Sequence, residues 1–114
     1  MRTKSNSDAP LQSLRFMMAV RDYIIDDIQP DETASHRLKQ AGLMSVMYLM
    51  HLSGETISVT ALCGRIKMPR QVVVEALKSL ESRNLISHST VLHESGRGRV
   101  YAYALTEKAM NPSR

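Results

Sequence analysis

The 114-residue sequence predicts a mostly helical α+β fold. Two observations support this prediction. Segments with helical periodicity fill most of residues 10–83, and two runs rich in β-branched or aromatic residues follow them. The length allows one domain with its own core. Apolar residues make up 43% of the chain and charged residues 23%, which is typical of a soluble globular protein.

The first predicted helix covers residues 11–28. Pro10 suits the first position of a helix, Pro30 cannot continue one, and we expect residues 1–9 to form a disordered tail. Apolar side chains cover roughly two thirds of the helix circumference, whereas a helix on one small domain needs a stripe a little over ~100° wide. The excess predicts that residues 10–32 form a dimerisation helix. Its interface residues are predicted to be Leu14, Met17, Val20, Ile24 and Ile28.

The middle of the chain predicts a helix followed by a helix–turn–helix. The first of these helices runs from residue 33 or 35 to residue 52, and residues 56–57 are compatible with a very short strand. Ser58 is a good N-cap for a helix over residues 59–66, and Lys67 and Met68 form the turn after it. Pro69 opens the next helix, predicted over residues 69–83, and Asn84 suits a left-handed cap.

The C-terminal part predicts a β-hairpin. Residues 85–92 and 100–105 form its strands, and two arginines alternate with glycines at its tip, residues 96–99. Thr106 caps a brief helix, and residues 111–114 form a tail. Over residues 33–110, this order of elements is that of a winged helix–turn–helix domain with a β-wing of two to three strands.

Positive charge is concentrated in the second half of the chain. Residues 1–57 hold six Lys/Arg and seven Asp/Glu, whereas residues 58–114 hold nine Lys/Arg and four Asp/Glu. The basic surplus falls on the helix–turn–helix and the wing, which favours a polyanionic partner. Double-stranded DNA is the expected partner of such a domain.

The second helix of a helix–turn–helix lies in the major groove, where its N-terminal residues meet the base edges. In the helix over residues 69–83, Val73, Leu77 and Leu80 have the spacing of a core face. Arginine binds guanine or phosphate, glutamine pairs with adenine, and a valine methyl contacts thymine. The residues expected to face DNA are Arg70, Gln71, Val74, Glu75 and Lys78.

Two further pairs of basic residues are expected to contact DNA. Arg65 and Lys67, near the turn, are placed to bind phosphates that position the domain. Arg97 and Arg99, within the wing over residues 94–99, combine positive charge with little bulk. We expect them to enter the minor groove, where arginine reads groove width.

The chain from about residue 40 to residue 109 resembles the MarR (multiple-antibiotic-resistance regulator) family of bacterial winged-helix repressors. The resemblance is carried by residues 43–62, residues 77–86 and the closing Leu-Thr-Glu-Lys-Ala of residues 105–109. It implies a homodimer on a pseudo-palindromic operator, with Arg70, Gln71 and Val74 in the major groove and Arg97 or Arg99 in the minor groove. Members of that family usually carry a long C-terminal helix for dimerisation, so dimerisation is expected to rest on residues 11–28 instead.

Other functional classes are less favoured by the sequence. No nucleophile–base pair, P-loop or paired-carboxylate signature is present, so we expect neither an enzyme nor a cofactor. The four histidines lack metal-ligand spacing. The single cysteine, Cys63, is either a packing residue or a redox sensor, and the acidic residues between positions 22 and 32 are either solvated or bind a partner. The eight methionines either fill the core or line an effector pocket.

We therefore expect a cytoplasmic, nucleoid-associated transcriptional regulator, most simply a repressor, with no membrane association and room for an unidentified small-molecule effector. Two alternatives stay open. A winged helix also serves as a protein–protein interaction adaptor, through an exposed apolar first helix. An architectural or replication-accessory DNA-binding protein has the same sequence features.

Overall fold

The computed structural model describes residues 4–92 and 95–111, with side chains from Leu11 onward. The fold is mostly helical with a small two-stranded antiparallel sheet, which confirms the predicted α+β class. Its elements in chain order are helix α1 (Lys4–Val20) continued by a π-helical turn (Arg21–Ile25), α2 (Ala34–Leu52), α3 (Val59–Ile66), α4 (Arg70–Ser82), strands β1 (Ile86–Leu92) and β2 (Arg99–Leu105), and α5 (Glu107–Met110). Within the described ranges, each helix is too short or too polar to cross a membrane.

Helix α1 differs from the prediction at both ends. It begins at Lys4, so residues 4–9 are helical and only residues 1–3 of the predicted tail lie outside the described residues. Pro10 is the seventh residue of the helix and not its first, as the sequence had predicted. The helical segment ends at Ile25, where Arg37 Nε donates to the Ile25 carbonyl and Arg83 Nε donates to the Tyr23 carbonyl. These side chains satisfy carbonyls that would otherwise need a further helical turn.

Two of the predicted dimer-interface residues belong to the core of the protomer itself. Ile24 is fully buried and Val20 packs partly against the core. The physical reason is the spacing of residues 16, 19, 20, 23 and 24, which is that of a single core-facing stripe. One face of the predicted dimerisation helix therefore belongs to the core of the protomer, while Leu14 and Met17 on its other face stay exposed.

The hydrophobic core lies between α2, α3, α4 and the base of the hairpin, with α1 packed over it. Methionine fills much of it, and the methionines of α2 pack as core residues. The largest fully buried apolar side chains are Ile24, Met44, Met47, Met50, Leu62, Val73, Leu77, Leu80 and Leu85.

The segment from α3 to the start of β1 follows the predicted helix boundaries closely. Ser58 caps α3 by accepting a hydrogen bond from the Ala61 amide, and Lys67, the C-cap after Ile66, adopts a left-handed conformation (φ 58°). Pro69 is the N-cap of α4, one residue before the helix begins. Asn84 is also left-handed (φ 63°), as predicted, and turns the chain from α4 into β1.

Strands β1 and β2 pair in antiparallel register, with His88 opposite Tyr103 and Thr90 opposite Tyr101. Ile57, in the segment where a very short strand was expected, forms only an isolated bridge to Tyr103, so the sheet itself has two strands. Thr106 caps α5 through the Ala109 amide. The hairpin base is thereby tied to the core, while its tip, residues 95–98, projects beyond the paired strands.

Candidate nucleic-acid interface

Helix α4 presents one core face and one polar face. Val73, Ala76, Leu77 and Leu80 are buried, as their spacing predicted. Arg70, Gln71, Glu75 and Lys78 are exposed on the other side. Val74, predicted to contact a base, is half-buried and packs against the core, so only part of its side chain remains accessible.

The N-terminal end of α4 is suited to an anion. No side chain caps its first turn, because the N-cap is Pro69. Uncapped amides at a helix N-terminus bind phosphate oxygens, and the helix dipole adds to the attraction. Lys67, in the turn just before this end, is exposed. Arg65 forms an ion pair with Glu55 at 2.5 Å, and both side chains of this pair are partly exposed.

The hairpin tip exposes both predicted arginines. Arg97 and Arg99 are exposed, and among the described residues neither guanidinium has an ion pair or a hydrogen bond. Gly96 (φ 83°) and Gly98 (φ 72°) both adopt left-handed conformations that other residues rarely adopt. The two glycines therefore form the turn that brings the arginines to the end of the hairpin. His93 and Glu94 lie outside the described residues, so this part of the predicted wing is not described.

Five basic side chains on the turn, on α4 and on the hairpin form no ion pair with the other described residues. Within the described part of the chain, no ion pair engages Lys67, Arg70, Lys78, Arg97 or Arg99. By contrast, Arg21, Arg65 and Arg83 each pair with a carboxylate. Unpaired cations on the turn, on α4 and on the hairpin tip are available to a polyanion.

Helix α4 and the hairpin are in direct contact. Glu81 of α4 hydrogen-bonds to the His88 ring of β1. Burial raises the pKa of Tyr103. The nearby Glu81 and Tyr101 raise it further, whereas the positive charge of Arg70 lowers it.

The C-terminal end of α4 is held by Arg83, a residue that the sequence analysis did not single out. Its guanidinium donates to both carboxylate oxygens of Glu32, at 2.8 and 2.9 Å, and to the Gln40 amide oxygen at 2.8 Å. It also donates to the backbone carbonyls of Tyr23 and Asp27. This network connects α4 with α2 and with the end of α1. No signal in the sequence pairs these distant residues.

The hairpin also carries aromatic residues that the sequence analysis did not assign to a site. His88 lies against Tyr101 and Tyr103, with ring centroids 4.4 and 5.8 Å apart. The sequence pattern that indicates this cluster is the spacing of Arg99, Tyr101 and Tyr103 at every second residue of β2, which places all three on one face of the sheet.

The outer face of α1 is apolar and exposed. Leu14 and Met17, both predicted at the dimer interface, are 52% and 65% exposed. Leu11 and Met18 extend the same surface. Ile28 is 70% exposed, but it follows the end of the helical segment.

The structure also places the other features that the sequence left open: the acidic residues between 22 and 32, Cys63 and a possible effector pocket. The acidic residues between 22 and 32 are not uniformly solvated, because Glu32 is buried against Arg83 and Asp27 is half-buried beside it. Cys63 is half-buried. A cavity of about 150 Å³ lies beside the contact between α2 and α4 and is lined mainly by apolar side chains that include Leu43, Ile66 and Val72. A small-molecule effector stays a prediction.

Comparisons with protein-family models, curated proteins and solved structures found no match to this chain. The resemblance to the MarR family therefore stays a prediction, and the functional argument rests on the geometry and charge described above.

Proposed function

We propose that the protein is a winged-helix transcriptional regulator that binds double-stranded DNA sequence-specifically. Helix α4 lies in the major groove and the hairpin is the wing that enters the adjacent minor groove. The major groove, about 12 Å wide, accepts a helix that is about 10–12 Å across with its side chains. The observation that carries this proposal is the set of unpaired cations on the turn, α4 and hairpin tip, beside the uncapped start of α4.

Each residue has a specific role in the proposed complex. Arg70 and Gln71, in the first turn of α4, bind base edges. Lys67 and Lys78 bind phosphates, and Arg97 and Arg99 bind the minor groove. Arg65 contributes little, because Glu55 already neutralises it. Glu75 is exposed among these cations, where a carboxylate accepts from the amino group of cytosine and disfavours a phosphate.

The regulator acts as a homodimer through the exposed apolar face of α1. Leu11, Leu14, Met17 and Met18 form that face, and Val20 and Ile24 do not, because they lie against the core. A contiguous exposed apolar surface on a small protein marks an interaction site. A dimer places two copies of α4 on half-sites one helical turn apart, roughly 34 Å. Binding there represses transcription by occluding the promoter.

Duplex binding is tested in two steps. The protein first selects sequences from a random duplex library, and its affinity for the most enriched duplex is then measured by fluorescence anisotropy. If roughly six to ten cations of the dimer contact phosphate, affinity falls about 10³- to 10⁵-fold between 50 and 200 mM salt. The double substitution Arg97→Ala with Arg99→Ala weakens binding and leaves the melting temperature nearly unchanged, since both side chains are exposed. The proposal is contradicted if the selection yields no preferred sequence, or if the affinity for the duplex does not change with salt concentration.

The same exposed α1 face is the observation that favours the second candidate, a protein-interaction adaptor. That function predicts one stoichiometric protein partner bound through Leu14 and Met17, and no retention on DNA or heparin. The anisotropy titration separates the two candidates, because an adaptor gives no salt-dependent duplex binding.

A further inference from the structure

The hairpin has a face that combines an exposed aromatic ring with an unpaired cation. Cross-strand pairing puts His88 opposite Tyr103 and Thr90 opposite Tyr101. Since side chains alternate along a strand, these residues share one side of the sheet with Arg99. We call this the hairpin face: His88, Thr90, Leu92, Arg99, Tyr101 and Tyr103.

Tyr101 is the accessible ring of the hairpin face. Its side chain is 54% exposed, whereas Tyr103 is half-buried. The His88 ring lies 4.4 Å away, centroid to centroid, and tilted by 39°. Glu81 holds His88 from α4. The Tyr101 ring is therefore supported by His88 while much of its surface is open to solvent.

The charge of the hairpin face is suited to a nucleotide. Arg99 is the only Lys, Arg, Asp or Glu in the two strands. It precedes Tyr101 by two residues on the same side, a distance of about 7 Å along the strand. Arg97 extends the positive charge to the tip, and neither guanidinium is paired in the ranges that the structure describes.

We propose that the hairpin face binds single-stranded nucleic acid, with an unpaired base stacked on Tyr101 and its phosphate on Arg99. Proteins that bind single strands without sequence readout combine aromatic stacking with a basic path for the backbone. Bases within a duplex are already stacked on each other, so a ring on the sheet surface gains a partner only from an unpaired base. The activity goes beyond duplex binding and shares only the hairpin arginines with it.

The test is an anisotropy titration of the full chain with a fluorescent oligothymidine of about 20 nucleotides and, separately, with duplex DNA. Tyr101→Phe keeps the ring and retains affinity for oligothymidine. Tyr101→Leu keeps apolar bulk without the ring and loses roughly 5- to 150-fold, the range expected for one stacked base. Ser89→Ala, on the opposite side of the sheet, is the matched control and binds as the wild type.

Photo-crosslinking to an oligonucleotide that carries 5-bromodeoxyuridine gives a second readout that does not depend on a variant. The expected adduct is on Tyr101, located by mass spectrometry. The inference is overturned if oligothymidine does not bind, if Tyr101→Leu binds it as tightly as the wild type, or if the adduct lies outside the hairpin. It is also overturned if Tyr101→Leu weakens duplex and single strand equally. If the protein binds oligothymidine but not duplex DNA, the proposed regulator is contradicted and the proposal of single-strand binding is not.

Discussion

Arg83 and Glu32 form a bidentate ion pair at the end of α4, with nitrogen–oxygen distances of 2.8 and 2.9 Å, although they lie 51 residues apart in the chain. Both side chains are more than nine-tenths buried. The remaining guanidinium hydrogens bind the Tyr23 and Asp27 carbonyls and the Gln40 side chain. The pair therefore fixes the start of α2 and the end of α1 against the helix that carries the proposed DNA contacts.

We expect Arg83→Ala to destabilise the fold strongly. Removing one partner of a buried ion pair leaves the other charge buried and uncompensated, which costs about 3–5 kcal/mol. Urea unfolding followed by circular dichroism measures the loss. Arg21→Ala is the matched control, because Arg21 pairs with Asp22 in the solvent, and its unfolding midpoint should not change. Equal effects of the two substitutions would contradict the structural role of Arg83.

The stability of the fold should depend on pH through Glu32. Hydrogen bonds from Arg83 and Gln40 lower the pKa of Glu32 from 4.5 to about 2, although burial acts in the opposite direction. A carboxylate with a depressed pKa stabilises the fold fully above its unfolded pKa, and this stabilisation is lost as pH falls towards 2. The difference in unfolding free energy between the wild type and Glu32→Gln should therefore shrink between pH 5 and pH 2. A difference that is constant over that interval contradicts the assignment.

Gln71 and Lys78 should differ in how they affect DNA binding, although both are exposed on α4. Gln71→Ala removes a base contact, so it should cost about 1–3 kcal/mol and relax the preference at one base pair of the selected site. Lys78→Ala removes a phosphate contact, so it should weaken all duplexes alike and reduce the salt slope by about 1. Anisotropy on the selected duplex and on its single-base variants measures both effects. The assignment of the two roles is wrong if Lys78→Ala changes the base preference.

Met17→Glu should convert the dimer into a monomer. The side chain is 65% exposed in the protomer, so the substitution leaves the core intact while it puts a charge into the proposed interface. Light scattering coupled to size exclusion gives the mass. Leu49→Glu is the control, because Leu49 is similarly exposed (59%) on α2, and this variant should remain a dimer. If the wild-type protein is a monomer at micromolar concentration, the proposed homodimer is contradicted.

The sequence predicted the elements that are specified locally. Ser58 and Thr106 cap their helices by contacts only three residues away, and the buried face of α4 follows its own periodicity. The end of α1 was mispredicted because its carbonyls are bound by Arg83, 60 residues from Tyr23. Ile24 was misassigned because an over-wide apolar face does not show which side meets the core. The exposure of Arg97 follows from local charge and turn chemistry, whereas the ion pair of Arg65 depends on Glu55, ten residues earlier in the chain.

The most direct test of the central claim is dimethyl sulfate footprinting on the selected duplex. The reagent modifies guanine N7, which lies in the major groove, and adenine N3, which lies in the minor groove. The account predicts protection of guanine N7 under α4 and of adenine N3 beside it, with only the adenine protection lost in the variant that carries Arg97→Ala and Arg99→Ala. Protection in neither groove, or adenine protection that survives in that variant, would contradict it.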